Sequence, residues 1–476
     1  VTGIATAHLD SVPMVAITGN VATSQIGYDS FQEIDITGIT LPITKHNYFV
    51  ENVEDLADTI REAFSLAMSG RPGPVLVDIP KDVQMAMCEY TPAPAVVMDE
   101  KLPAKDKRIA AAAKCINESE KPYIYFGGGL VSSGAAKELL ELAEKIDAPI
   151  GCSMMGLSEL PSDHPRFLGM QGMHGKFVST AAMNSADCII SLGTRFNDRV
   201  IGERENFKLK AKIVHIDIDA SELSKTITSH HNLRGDIKKT LEKLIPELTE
   251  KTHPKWQKEI EALRKKGAEY EDNRGGMTPK NILEMLNGYI KPDMPIATDV
   301  GQHQMWAAQT LKFSESRKFI SSGGLGTMGF GLGAAIGAHI GTGKKTVLIT
   351  GDGSFGMNLN ELVTAVENNV PLVILIMNNG VLGMVRQMQT MYFEKHYSET
   401  VLGRPTDFVK VAQAFGAKGE KVSTLDELKT AFDNAFSYGG TYVIDCALNK
   451  DEFVLPVMEK GGCTEEIIVE SGEFLK

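Results

Sequence analysis

Two short motifs with chemical potential sit at the ends of strongly apolar runs. Gly351-Asp352-Gly353 follows Thr346–Thr350, and Asn378-Asn379 follows Leu372–Met377, with 24 residues between Gly353 and Asn378. Both runs read as buried parallel strands. In open α/β sheets, ligands bind outside the carboxyl ends of the strands. Two glycines around a carboxylate let the backbone turn sharply and approach a phosphate closely. The spacing is that of one βαβ unit, with a helix expected over Asn358–Glu367. Neighbouring strand ends would then bring the Asp352 carboxylate and the Asn379 amide oxygen together. A few hard oxygen ligands suit Mg²⁺ that also binds diphosphate oxygens. Either motif alone is an ordinary strand-end turn; their matched positions carry the reading.

A competing phosphate motif lies just upstream. Gly324-Leu-Gly326-Thr-Met-Gly329 matches GxGxxG, follows an expected strand at Phe319–Ser321 and precedes a helix. Asp352 would then be the ribose-binding acid of a nicotinamide dehydrogenase. That alternative leaves Gly353 and the asparagine pair without a role, so the diphosphate reading is favoured.

The elements that must hold these residues alternate between strand-like and helical patterns, which predicts α/β architecture with parallel sheets. A first unit has strands at Met14–Thr18 and Val75–Ile79 and a helix near Val53–Ser69, its apolar face formed by Leu56, Ile60, Ala63, Phe64 and Ala67. Tyr90–Pro103 reads as a linker. A second unit has helix Lys107–Asn117, strands Tyr123–Phe126, Cys188–Leu192 and Ile213–Ile218, and helix Lys238–Leu248. Thr252–Gly275 is charged and reads as a surface connection with helix. Thr278-Pro-Lys then starts a third unit, with Thr as N-cap and Pro at the first helical position. Its strands are Ile296–Thr298, Phe319–Ser321, Thr346–Thr350, Leu372–Met377 and Tyr442–Asp445, and the last thirty or so residues read as a tail.

The bulk numbers exclude several classes. At 476 residues, roughly two to four domains are expected. Apolar content of 43% and charged content of 23% are ordinary for a globular protein. No run of about 18 or more apolar residues predicts a membrane span. A net charge of −12 argues against a nucleic-acid surface; basic stretches such as Lys208–Lys212 and Lys265–Lys266 read as solvated faces. The six cysteines, Cys88, Cys115, Cys152, Cys188, Cys446 and Cys463, include no CxxC pair, which argues against zinc and disulfides and for a reducing, cytoplasmic setting.

With the anchor in place, the run from Gly351 to Gln389 resembles the thiamine diphosphate motif of acetohydroxyacid synthase (acetolactate synthase). So do Gly301-Gln-His-Gln-Met-Trp306, Gly323–Gly331, Phe31–Val50, Arg71–Val83, Gly172–Gly175 and Gly193–Val200. The resemblance covers nearly the whole chain in one order. It implies three doubly wound α/β domains with parallel sheets, the first incomplete: a pyrimidine-binding domain over 1–90, a linker over 91–105, an FAD-binding domain over 106–250, a connector over 251–277, a diphosphate-binding domain over 278–448 and a tail over 449–476. The implied reaction decarboxylates pyruvate and transfers the two-carbon unit to pyruvate or 2-oxobutyrate, for branched-chain amino acid synthesis. The thiazolium ring of the cofactor carries the hard chemistry, while the protein orients it. Related carboligases, pyruvate oxidase and a non-catalytic cofactor-binding remnant are the alternatives.

The resemblance also implies residue roles. Asp352, Asn379 and the Val381 backbone carbonyl match Mg²⁺ ligands. Gln302 and His303 match diphosphate contacts, as do Gly351, Gly353 and Ser354 around the turn, and Gly326 belongs to the upstream cofactor motif. Met328 and Met384 match apolar residues that hold the cofactor bent, although a methionine is more often simple core filling. Arg195 matches an arginine that grips the second 2-oxo acid, for which a bidentate guanidinium is suited; an ion pair with Asp198 is the competing reading. Phe31, Gln32 and Lys81 match active-site positions. FAD contacts carry over to Arg71, His174, Gly193, Arg195, Asp217 and Asp236. A homodimer or homotetramer, and in many members a small regulatory subunit, are implied partners.

The sequence departs from the family at its start. The chain begins at Val1, and the glutamate that activates the aminopyrimidine in the family has no counterpart, so a fragment inactive by itself and an exposed sheet edge in the first unit are expected. Ala22 stands where proline is usual and Met388 where tryptophan is usual, which predicts weak inhibition by sulfonylurea-type compounds. Gly333 replaces a common proline at a helix start.

Overall fold

The computed structural model describes residues 1–94, 96, 100–202, 211–403, 406–458 and 467–469. Cys463 and the basic residues Lys208 and Lys210 lie outside them. The described chain forms two compact units, Val1–Lys101 with Ser322–Thr327, and Leu102–Ser321 with Met328–Lys476.

The first unit is a small parallel sheet of β1 (Met14–Asn20), β2 (His46–Phe49) and β3 (Pro74–Pro80), in the order β1-β3-β2. β3 is buried along its whole length, as a central strand covered on both faces must be. The crossover helix Val53–Met68 packs Ala63 and Ala67 onto it. Phe64, expected on that inner face, is 58% exposed: it follows Ala63 by one residue, and adjacent helical positions diverge by about 100°. β1 is an edge strand, and its Ile17 is 60% exposed. Ser322–Thr327 joins this unit through the Gly324 N–H, which donates to Asp10 at 2.6 Å, and through the Thr6 and Thr327 hydroxyls at 2.7 Å.

The second unit holds two six-stranded parallel sheets. One contains β4 (Pro122–Phe126), β5 (Ile150–Cys152), β6 (Phe167–Met170), β7 (Cys188–Leu192), β8 (Lys212–Asp217) and β9 (His231–Arg234), ordered β6-β5-β4-β7-β8-β9. The other contains β10 (Ile296–Thr298), β11 (Phe319–Ile320), β12 (Thr346–Gly351), β13 (Leu372–Asn378), β14 (Lys418–Val422) and β15 (Tyr442–Ala447), ordered β11-β10-β12-β13-β15-β14. Alternate residues along each strand feed separate cores. Ile124, Phe126, Ile190 and Leu192 enter one cluster, while Tyr123, Tyr125 and Ile189 enter another. Val347, Ile349 and Val373 likewise part from Leu348, Leu372 and Ile374. Side chains alternate across a strand, so two cores per sheet mean helices on both faces, the doubly wound arrangement.

Two segments differ from expectation. The charged connector forms helix Pro254–Glu269, but Trp256 is 1% exposed and donates its indole N–H to the Pro122 carbonyl at 3.0 Å. The stretch read as a tail is packed at its start: Val454, Val457 and Met458 are buried, and the Met458 N–H donates to the Met173 carbonyl at 3.0 Å. The start signal at Thr278 acts as read, its hydroxyl accepting the Asn281 N–H at 3.2 Å.

Candidate active site

The order of the last sheet reverses direction between β10 and β12. A crevice opens at the carboxyl ends of strands at such a switch point. Gly301-Gln302-His303 leaves β10 there and Gly351-Asp352-Gly353 leaves β12, while β13 runs parallel beside β12 with Gly351 opposite Met377. Asp352 therefore stands beside the asparagine pair, and its carboxylate accepts the Asn379 backbone N–H. The helix expected from Asn358 begins instead at Asp352, running to Asn358 and resuming over Leu362–Glu367 after a short 3₁₀ turn. Asp352 is 7% exposed. Burial pushes its carboxyl up to about 6, backbone N–H groups including that of Asn379 oppose this, and the nearby Asp445 charge adds to it.

The cleft is lined by Gln302, His303, Met328, Gly351, Asp352, Gly353, Ser354, Asn379, Val381 and Gly383 among others. Close packing demands its glycines. A Cβ on Gly351 would lie 2.9 Å from His303 Nδ1, and one on Gly383 would lie 1.9 Å from Gln302 Oε1. His303 is 5% exposed, burial holds its imidazole down to about 3, and its Nε2 has no partner. A neutral imidazole with an unpaired nitrogen thus faces a cleft beside the start of helix Gln302–Thr310, where backbone N–H groups favour anions. Asn379 Nδ2 donates to Gln302 Oε1 at 3.1 Å, and its Oδ1 accepts the Val381 N–H at 3.2 Å. Ser354 caps its own turn through Gly351. Met384 opens helix Gly383–Tyr392 and packs, partly buried, against the core beneath.

The dinucleotide alternative fails on one carboxylate. Asp299, directly after β10, accepts the Gly329 N–H at 2.9 Å and the Gly331 N–H at 3.2 Å. The start of helix Phe330–Thr342 is thereby filled from within the protein, at the place where a pyrophosphate would have to sit. Gly326, exposed with φ +70°, belongs with the first unit. Sequence reasoning missed Asp299, although its signal was available: an acid one residue past a buried strand, as at Asp352. It also missed Gln387, which sits 1% exposed behind Gln302.

In the other sheet the order again reverses, between β4 and β7. Gly193 leaves β7 with φ +62°, and a Cβ there would lie 2.5 Å from Gly129 Cα. Arg195 follows, half-buried, its carbonyl accepting from Thr226 at 3.2 Å. Asp198, the competing ion-pair partner for Arg195, lies 3.7 Å from Arg199. His174 is 9% exposed with an unpartnered Nδ1, and burial holds it down to about 4. Asp217 ends β8 and accepts the Asp219 N–H at 2.8 Å. Asp236 caps helix Ile237–Leu244 through Lys239 and accepts from Ser133 at 3.0 Å.

The remaining sequence-derived residues lie in the first unit. Phe31 is 88% exposed and Gln32 has φ +66°. Lys81 opens the short helix Lys81–Met85, and the Arg71 Nε donates to Ser11 at 2.8 Å.

Doubly wound sheets with a glycine-acid-glycine turn facing an asparagine pair define a thiamine pyrophosphate enzyme. The family profile of the thiamine pyrophosphate enzyme C-terminal TPP binding domain matches residues 299–446, and that of the central domain matches 109–244. The probable acetolactate synthase large subunit of Methanocaldococcus jannaschii is 42% identical over 98% of this chain and 82% of its own length. Acetolactate synthase isozyme 2 large subunit of Escherichia coli is 39% identical over 98% and 85%, and the large subunit from Haemophilus influenzae is 38% identical over 98% and 84%. The chain belongs to the acetolactate synthase large-subunit family.

Proposed function

We propose that the chain is the catalytic subunit of an acetolactate synthase, taking a two-carbon unit from pyruvate to a second pyruvate or to 2-oxobutyrate. The observation that carries this is the buried contact between the Asp352 carboxylate and Asn379 at adjacent strand ends, beside the unpaired His303 Nε2. Thiamine diphosphate, when bound, supplies the thiazolium carbon that accepts the two-carbon unit.

The chain's own residues would hold it. Among the described residues no cluster of three His, Cys, Asp or Glu side chains could bind a metal. One carboxylate with amide, carbonyl and phosphate oxygens is a donor set fitted to Mg²⁺. Asp352, Asn379 and the Val381 carbonyl would hold that ion; His303 would meet the diphosphate with its side chain and Gln302 with its backbone N–H at the helix start, its side-chain N–H groups being given to Gln387 and Glu452. Met328 beside Gly353 offers an apolar wall, its Cε 3.8 Å from where a Gly353 Cβ would be.

FAD is assigned to the sheet of β4 to β9. The unpartnered Nδ1 of His174 is what a polar cofactor would use, with Gly193, Arg71, Arg195, Asp217 and Asp236 as further contacts. Asp236 accepts from Lys239 and Ser133, bonds that hold it in place and leave acceptor capacity on its carboxylate. Arg195 is assigned to the carboxylate of the second 2-oxo acid. Phe31, Gln32 and Lys81 complete the substrate side, in a homodimer or homotetramer that can recruit a small regulatory subunit. A cytoplasmic setting fits the free cysteines, and among the described residues no helix is long and apolar enough to cross a membrane.

The test is calorimetric titration with thiamine diphosphate and Mg²⁺ alongside product analysis from pyruvate. Acetolactate formation supports the proposal. Acetate formed with oxygen uptake would favour an oxidase, and binding without turnover would favour a cofactor-binding chain lacking catalysis.

A further inference from the structure

Behind the cleft, three side-chain amides stand in series. Asn379 Nδ2 donates to Gln302 Oε1 at 3.1 Å, and Gln302 Nε2 donates to Gln387 Oε1 at 3.1 Å. Each amide could in principle be rotated end for end, but backbone groups fix the sense of the row. Gln302 Nε2 also donates to the Glu452 carbonyl at 2.8 Å. Gln387 Nε2 donates to the Val454 carbonyl at 3.1 Å while its Oε1 accepts the Val454 N–H at 2.9 Å. A carbonyl can only accept and an N–H can only donate, so Gln387 has one permitted orientation. That orientation agrees with the one the Glu452 carbonyl gives Gln302, and with that of Asn379, whose Oδ1 accepts the Val381 N–H at 3.2 Å. Gln302, Gln387 and Val454 are each less than 5% exposed, so water does not compete for these bonds.

We propose that Gln387 is a positioning residue for the metal–diphosphate site: clamped to the backbone of Val454, it holds the Gln302 amide against Asn379 Nδ2 and so keeps the Asn379 side chain seated beside Asp352. The inference rests on the reading of Asp352 and Asn379 as Mg²⁺ ligands. Residues 452–454 thereby act on the cleft without lining it.

The test measures the Kd for thiamine diphosphate with Mg²⁺ by calorimetry on the purified chain. Outer partners of metal ligands are typically worth about 10- to 100-fold in affinity, so Gln387→Met should raise the Kd by that range with the far-ultraviolet spectrum unchanged. In a double-mutant cycle, Gln387→Met added to Asn379→Ala should cost clearly less than it does alone, because the row has lost its end. An unchanged Kd, or full additivity with Asn379→Ala, overturns the proposal in favour of simple packing. Should Gln387→Met not fold, Gln387→Asn keeps the amide but shortens its reach to Gln302 and Val454, and should raise the Kd by the same range; an unchanged Kd overturns the proposal. Asp352→Ala is also the control for the underlying reading. If it leaves the Kd unchanged, the metal site itself is misassigned; if it abolishes binding while Gln387→Met does nothing, only the relay fails.

Discussion

The Asp299 carboxylate accepts the Gly329 N–H at 2.9 Å across 30 residues of sequence, closing the start of a helix that begins one residue later. Gly329 meets it with φ +88°, in the left-handed region that glycine enters without strain. Asp299→Ala strands the Gly329 and Gly331 N–H groups in a buried place. A loss of about 1–3 kcal/mol is expected, read as a lower denaturant midpoint, with Asp299→Asn intermediate because it keeps one acceptor.

Asp352→Asn separates the cost of the anchor from its use. The substitution keeps the shape but removes a buried charge that backbone N–H groups, including that of Asn379, only partly offset. Thiamine diphosphate with Mg²⁺ should bind at least about 100-fold more weakly, as expected for loss of a ligand carboxylate rather than of an outer partner. The cofactor-free fold should gain on the order of 1–2 kcal/mol from no longer burying that charge. Calorimetry and melting curves on the same sample check both signs; equal melting temperatures would remove the second claim.

Gly383→Ala probes the close approach of Gln302. The new Cβ would overlap Gln302 Oε1, forcing the amide away from Asn379. Overpacking of this kind costs about 1–3 kcal/mol, and affinity for the Mg²⁺–diphosphate pair should fall by about tenfold or more. Gly333→Ala, inside helix Phe330–Thr342 with open space around its Cβ, is the matched control: it should leave binding unchanged and raise stability by about 0.5–1 kcal/mol.

The second unit should lose stability in mild acid. Burial holds the His174 and His215 imidazoles down to about 4 in the fold, against about 6.5 in an unfolded chain. Between those values the unfolded state binds more protons, so stability is fully present above pH 6.5 and falls as the pH drops towards 4. Each imidazole contributes on the order of 3 kcal/mol across that window. Denaturation midpoints from pH 7.5 to 4.5 check this; His215→Asn should flatten the slope.

Much of this was legible because buried parallel strands are apolar along their whole length. β12 and β13 announced themselves, and the chemistry at their ends could be read from Asp352 and Asn379. The strands that escaped notice are of another kind: β2, β6, β9 and β14 are sheet-edge strands, of which β9 (His-Asn-Leu-Arg) and β14 (Lys-Gly-Glu-Lys-Val) have few apolar residues and β2 and β6 only four residues each, and β5 has three. Asp299 and Gln387 escaped for a different reason. Their roles are set by partners 30 and 67 residues away, which only tertiary structure brings near. Phe64 shows the limit of periodicity, since a helix position at the boundary of the apolar stripe can fall on either side of it.

The segment after β15 has a mechanical meaning. Its buried Val454 sits with the core beneath β10 to β15, and four residues later Met458 is bonded to Met173 beside the sheet of β4 to β9. Ser162 bridges the same two sheets from the other direction, bonded to Phe313 through both its N–H and its hydroxyl. Neither sheet can open without uncovering residues of the other. They should therefore exchange their amide protons and melt as a single cooperative block, and a protease that nicks the 455–458 stretch should loosen both halves at once.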